Sequence, residues 1–214
     1  MRSTLPEVFV GRSSMRTRRG TSAGGGEDPD PRDVREPWSR PDVATLTPDR
    51  MMAYIRARCP WAAAHTHRTL APYLLEESAE LMAAILEDER VGSAGGSATA
   101  DAVEAELADV LYQVVFHAAL LDERREAEPG DTWSSLQQRL VDKYVRRHPH
   151  VFESSSPVPI ADVQRRYQEV KAAERVEGIA AREPSAAAHT EAADEALRIL
   201  SDIRGTMVAK NRQD

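Results

Sequence analysis

Two stretches of helical periodicity carry carboxylates within or beside their apolar stripes, and this placement constrains the chain more than any other feature. On a wheel of residues 67–90, Leu70, Leu74, Leu81 and Ile85 fall within about 60° of one another and mark a core-facing stripe. Glu77 falls inside that stripe, Glu80 at its edge and Glu76 one step further round. A carboxylate there is costly unless it is paired or bound to a cation. Over residues 101–124, Val103, Val110, Val114 and Leu121 make an apolar face. Glu106, Asp109, Gln113 and His117 form a polar stripe beside it at spacings of three and four. If the two helices pack antiparallel, Glu77 and Glu80 face Glu106 and Asp109. Carboxylates so packed raise one another's pKa, and a hard divalent cation resolves the repulsion. All-oxygen ligation suits Mg²⁺. The alternative for a bare Glu-Glu-x-x-Glu is a set of ordinary surface glutamates. The acids lack the Glu-x-x-His pairing of di-iron bundles, and His117, two turns beyond Asp109, is expected to line the bundle.

The remaining pattern is helical too. Thr47-Pro48-Asp49 reads as a helix start, with a stop at Cys59-Pro60. Residues 91–100 read as a flexible loop and Pro129-Gly130 as a turn. Asp131 or Thr132 is expected to cap a helix that ends before Pro149, and a further helix fits 160–176. Beyond the breaks at Gly178 and Pro184, Leu197, Leu200, Ile203 and Met207 recur at helical spacing. No alternating β-branched run is long enough for a strand, so the expected fold class is all-α. Residues 1–43, with Gly24-Gly25-Gly26 and mixed charges, read as a disordered tail. Arg18-Arg19 precedes glycines rather than an apolar segment, which argues against an export signal.

Charge and composition exclude several classes. The net charge of −7 argues against a nucleic-acid coat protein, and no stable nucleic-acid binding is expected. One cysteine, Cys59, excludes an internal disulfide framework and a cysteine zinc cage, and fits a cytoplasmic location. No apolar run approaches the ~20 residues that span a bilayer.

A carboxylate-held Mg²⁺ that keeps several waters usually engages substrate phosphates. Positive charge is available: Lys143, Arg146 and Arg147 share a helix face at i, i+3 and i+4, and Lys171 lies on the next helix. The alternative is a solvated basic helix end. There is no P-loop, Cys59 lacks an activating base, and His148 and His150 around Pro149 read as a helix stop.

Several segments occur together in a telling order: Cys59-Pro60-Trp61, Thr66-His67, LAPYLLEESAE (70–80), ELADVLYQVVFHA (106–118), DKYVRRHPHVF (142–152) and RYQEVKAAE (166–174). In this the chain resembles the MazG family of nucleoside triphosphate pyrophosphohydrolases, whose acidic signature is EExxE, a spacer, then ExxD. The resemblance implies an all-α helical bundle assembled as a homodimer. It also implies Mg²⁺-dependent hydrolysis of NTPs or dNTPs to the monophosphate and pyrophosphate, with Mn²⁺ as a possible substitute. Glu77, Glu80, Glu106 and Asp109 would then hold the metal, and Glu76 would be an accessory ligand or orient the attacking water. Lys143, Arg147 and Arg146 would grip phosphate, Lys171 would reach it, Tyr167 would stack on a base, and Trp61 would belong to the substrate site. Residues 44–178 would be the catalytic domain, and 179–214 a partly helical extension. The chain departs from the family pattern at Ala62, where an acid is usual, and at His65, where Gln is common. A relative specific for dCTP or phosphoribosyl-ATP is the near alternative, and a non-catalytic helical dimer that binds nucleotides or a protein the distant one.

Overall fold

The computed structural model describes residues 41–92, 96–177 and 184–210, with the side chains of 206–210 left aside. Apart from 41–43, the tail expected over 1–43 lies outside the described residues, as do Gly178 and the side chain of Met207. Every regular element described is a helix: α1 Pro48–Arg58, α2 Pro60–Ala64, α3 His67–Val91, α4 Gly96–Arg125, α5 Asp131–Arg147, α6 Pro149–Phe152, α7 Ile160–Val176 and α8 Ala186–Lys210.

Local chemistry accounts for most of the ends. Proline occupies the first turn of α1, α2 and α6, where its missing N–H is not needed. Thr66 caps α3 reciprocally with Thr69: its hydroxyl accepts from the Thr69 N–H, and its own N–H donates to the Thr69 hydroxyl at 2.8 Å. Asp131 opens α5 and Thr132 follows it, but neither is the cap. Gly130 holds that position with φ +98°, in the left-handed region that glycine tolerates. Buried Asp122 accepts from the Gly130 N–H at 2.9 Å and the Thr132 N–H at 2.8 Å, so a side chain of α4 satisfies the start of α5.

The loop expected over 91–100 is shorter, because α4 already begins at Gly96. The Thr99 hydroxyl donates to Asp88 of α3, tying this added turn down. The apolar face expected on α4 is also shifted. Val115, Phe116, Ala118 and Leu120 are buried, whereas Val114 is 37% exposed. The reason is tertiary: α4 is covered by α1 as well as α3 along its second half.

The core joins Met52 of α1, Ala62 of α2, Leu70 of α3 and Val115, Phe116 and Leu120 of α4, with Trp133 of α5 against it. Arg56 fastens the α1–α2 corner. It forks onto Glu123 at 2.6 and 2.7 Å and donates to the carbonyls of Ala62 and His65. α3 and α4 pack along each other, α7 packs on α5, and α8 lies on α3 with Ile199 buried. Among the large apolar side chains that remain exposed are Met82 and Leu86 of α3, Leu107 and Leu111 of α4, and Leu140, Val141 and Tyr144 of α5.

Candidate active site

Glu76, Glu77 and Glu80 are one turn of α3, and Glu106 and Asp109 one turn of α4. Packing of the two helices brings one oxygen each from Glu77, Glu80 and Glu106 within 4.8 Å of one another. Glu76 and these three are half-buried, while Asp109 is exposed and stands outside the close trio. Burial pushes the Glu77 carboxyl up to about 7, helped by the charges of Asp109, Glu80, Glu76 and Glu106 in that order. Glu106 Oε2 is buried without a hydrogen-bond partner among the described residues. A buried acceptor lacking a donor, beside a carboxyl raised by like charges, is a donor set that fits a hard divalent cation.

Trp61 of α2 reaches the N-terminal half of α3 through ring contacts. Its ring packs edge-on against His65 at 4.1 Å and Tyr73 at 5.9 Å between centroids, and Tyr73 precedes Glu77 by four residues on α3. His117 lines the bundle. Its Nδ1 meets His67 Nδ1 at 2.8 Å, the two rings being parallel.

The basic residues gather elsewhere, on α5 and α7. Lys143 is exposed near the end of α5, and Lys171 half-buried on α7. Arg146 and Arg147 both pair with Glu174 of α7, whose side chain is 5% exposed. Arg147 also lies over the Tyr167 ring, 5.7 Å from its centroid. Sequence reasoning assigned Glu174 no role. Its spacing, three residues after Lys171 and seven after Tyr167, places it on their face of α7 and was the available signal. A groove beside this cluster is lined by Arg147, His148, His150, Gln164 and Tyr167.

Residues 65–152 match the family model described as the MazG nucleotide pyrophosphohydrolase domain, and all five acids lie within that span. This segment is similar to the MazG family. Lys143, Arg146 and Arg147 also fall inside the MazG segment, while Trp61, Tyr167, Lys171 and Glu174 fall outside it. Among similar proteins, a nucleoside triphosphate pyrophosphohydrolase of Escherichia coli K12 is 35% identical over 56% of this chain and 40% of its own length. The nucleoside triphosphate pyrophosphohydrolase/pyrophosphatase MazG of Thermotoga maritima is 42% identical over 45% of this chain and 32% of its own. An uncharacterized 26.1 kDa protein of Streptomyces cacaoi is 36% identical over 65% and 53%. The chain therefore spans roughly half or less of the length of these curated relatives. No solved structure matches it.

Proposed function

We propose that the protein hydrolyses nucleoside triphosphates to the monophosphate and pyrophosphate. The observation that carries this reading is the close trio of Glu77, Glu80 and Glu106 inside a MazG segment. With Asp109 they would hold Mg²⁺, Mn²⁺ being the natural substitute. The bound cation would supply charge neutralisation of the phosphate chain and a lowered pKa for a water. Glu76, next to Glu77, is suited to accept a hydrogen bond from that water and orient it. The basic end of α5, with Lys171, would offset charge that builds on phosphate oxygens. Tyr167 and Trp61 offer ring faces to a base.

We further propose a homodimer. The exposed apolar residues of α3, α4 and α5 lie on long helices that leave them uncovered in one chain, and a second copy would cover them by symmetry. Assembly also offers a route for bringing the acidic pair of helices and the basic pair to one substrate. In this reading residues 44–178 are the catalytic domain, flanked by the 1–43 tail and the 179–214 extension. No helix among the described residues is long and apolar enough to cross a membrane, and we place the reaction in the cytoplasm.

The test is a hydrolysis assay over a panel of NTPs and dNTPs, with monophosphate and pyrophosphate measured separately, with and without Mg²⁺. Equal yields of the two products, dependent on the cation, support the reading. Release of inorganic phosphate alone, or no turnover of any triphosphate, removes it.

A further inference from the structure

We propose that Glu174 is a positioning residue that divides the work of two neighbouring arginines: it locks Arg147 into the fold and presents Arg146 to substrate phosphate. The proposal rests on the reading above, that phosphate is bound at the α5–α7 end.

The hydrogen bonds are unequal. Glu174 Oε2 accepts from Arg147 Nε at 3.1 Å and Nη2 at 2.7 Å. The remaining nitrogen of Arg147, Nη1, donates to the Tyr167 hydroxyl at 3.4 Å, and the guanidinium lies over one face of the Tyr167 ring. Every nitrogen of Arg147 is therefore engaged, and its side chain is only 20% exposed. Arg146 gives Glu174 only its Nε, at 3.1 Å to Oε1. Its two terminal nitrogens make no described hydrogen bond, and its side chain is 38% exposed.

Physical chemistry turns this inequality into different roles. A guanidinium binds phosphate best through two adjacent N–H groups presented as a fork. Arg146 has such an edge to offer. Arg147 would have to leave Glu174 to provide one, and that would strip a buried carboxylate of its main partner. The Arg147 hydrogen bond holds the Glu174 carboxyl below the usual carboxylate range, so it stays ionised near neutrality. Two cations and one buried anion leave one net positive charge at the surface. By fixing Nε of Arg146, Glu174 limits the conformations that Arg146 must give up when phosphate binds.

The experiment measures binding of inorganic pyrophosphate by calorimetry, with Mg²⁺ present, together with melting temperature and KM for a nucleoside triphosphate, on the full chain. Arg146→Gln is expected to weaken pyrophosphate binding about tenfold and raise KM in step, with melting unchanged within roughly 1 °C. Arg146→Lys, which keeps the charge, recovers most of the loss. Arg147→Lys cannot reproduce the fork onto Glu174, and it melts several degrees lower. Glu174→Gln weakens pyrophosphate binding although it removes a negative charge, which simple charge counting would not give. Tighter pyrophosphate binding by Glu174→Gln overturns the proposal. So does an Arg147→Lys protein that melts at the wild-type temperature, or an Arg146→Gln protein with wild-type KM. Those results leave the hydrolase reading standing. A wild-type protein that neither binds pyrophosphate nor turns over any triphosphate removes the hydrolase reading itself.

Discussion

His67 of α3 and His117 of α4 meet Nδ1 to Nδ1 at 2.8 Å across the seam between the two acid-bearing helices. Only one of the two nitrogens can carry the hydrogen, and the other must accept. His67 Nε2 is already buried without a described partner. Burial and the facing His67 lower the pKa of His117 below its usual value. The unfolded chain therefore binds more protons at this residue, and stability falls as pH drops through 6.5 and below. With saturating Mg²⁺, melting temperature should fall on acidification from about pH 7.5 to 5.5, and the fall should shrink in His117→Gln. Identical pH profiles for the two proteins would contradict this.

Glu77 has the opposite sign. Its folded pKa of about 7 lies above the ordinary 4.5, so the folded state binds the extra proton. Its contribution is fully present below pH 4.5 and is lost as pH rises through 7. Metal-free protein should thus lose stability across that window, and Glu77→Gln should be the more stable protein above it. Calorimetric melting with a chelator, at a series of pH values, reads this directly. A bound divalent cation must displace the Glu77 proton, so Mg²⁺ affinity should fall toward tenfold for each pH unit below 7.

Replacing members of the acidic group should give a ranking. Glu77→Ala, Glu80→Ala and Glu106→Ala remove members of the close trio and should each lower Mg²⁺-dependent turnover by about a hundredfold or more. Asp109→Ala should also remove most turnover while leaving the helical circular-dichroism spectrum intact. Because Asp109 stands outside the trio, its loss should weaken Mg²⁺ binding less than loss of Glu106 does. Wild-type turnover by the Asp109→Ala protein would show that the assignment is wrong.

Asp122 should matter for stability and not for turnover. It is buried and alone satisfies the N–H groups of Gly130 and Thr132. Asp122→Ala leaves two buried donors unmet and should cost about 2–4 kcal/mol, read by chemical denaturation. Gly130→Ala should also destabilise, since φ is +98° and an added Cβ would collide with the Asp49 carboxylate.

If a second copy covers the exposed apolar residues, sedimentation should show a dimer at micromolar concentration. Leu140→Glu places a charge among them and should shift the protein toward monomer. A well-folded wild-type monomer under the same conditions would rule the dimer out.

What the sequence determined by itself is the local part. Helical periodicity placed Glu77 in the α3 stripe, proline marked the start of α1 and the end of α5, and 160–176 was readable as one helix, because these depend on neighbours a few residues away. The MazG motif order was readable for the same reason: residue identity and spacing are written in the chain. Tertiary structure decided the rest. Val115 rather than Val114 is buried because α1 approaches α4 from a second side, which no single wheel contains. The turn from Gly96 is helical where its small residues alone suggested a loop, with Thr99 bound to Asp88. The pairing of Glu174 with Arg146 and Arg147, and of His67 with His117, joins residues 27–50 apart in sequence. Such contacts depend on where whole helices dock, and docking is set by packing of the entire core, which no short window of sequence carries.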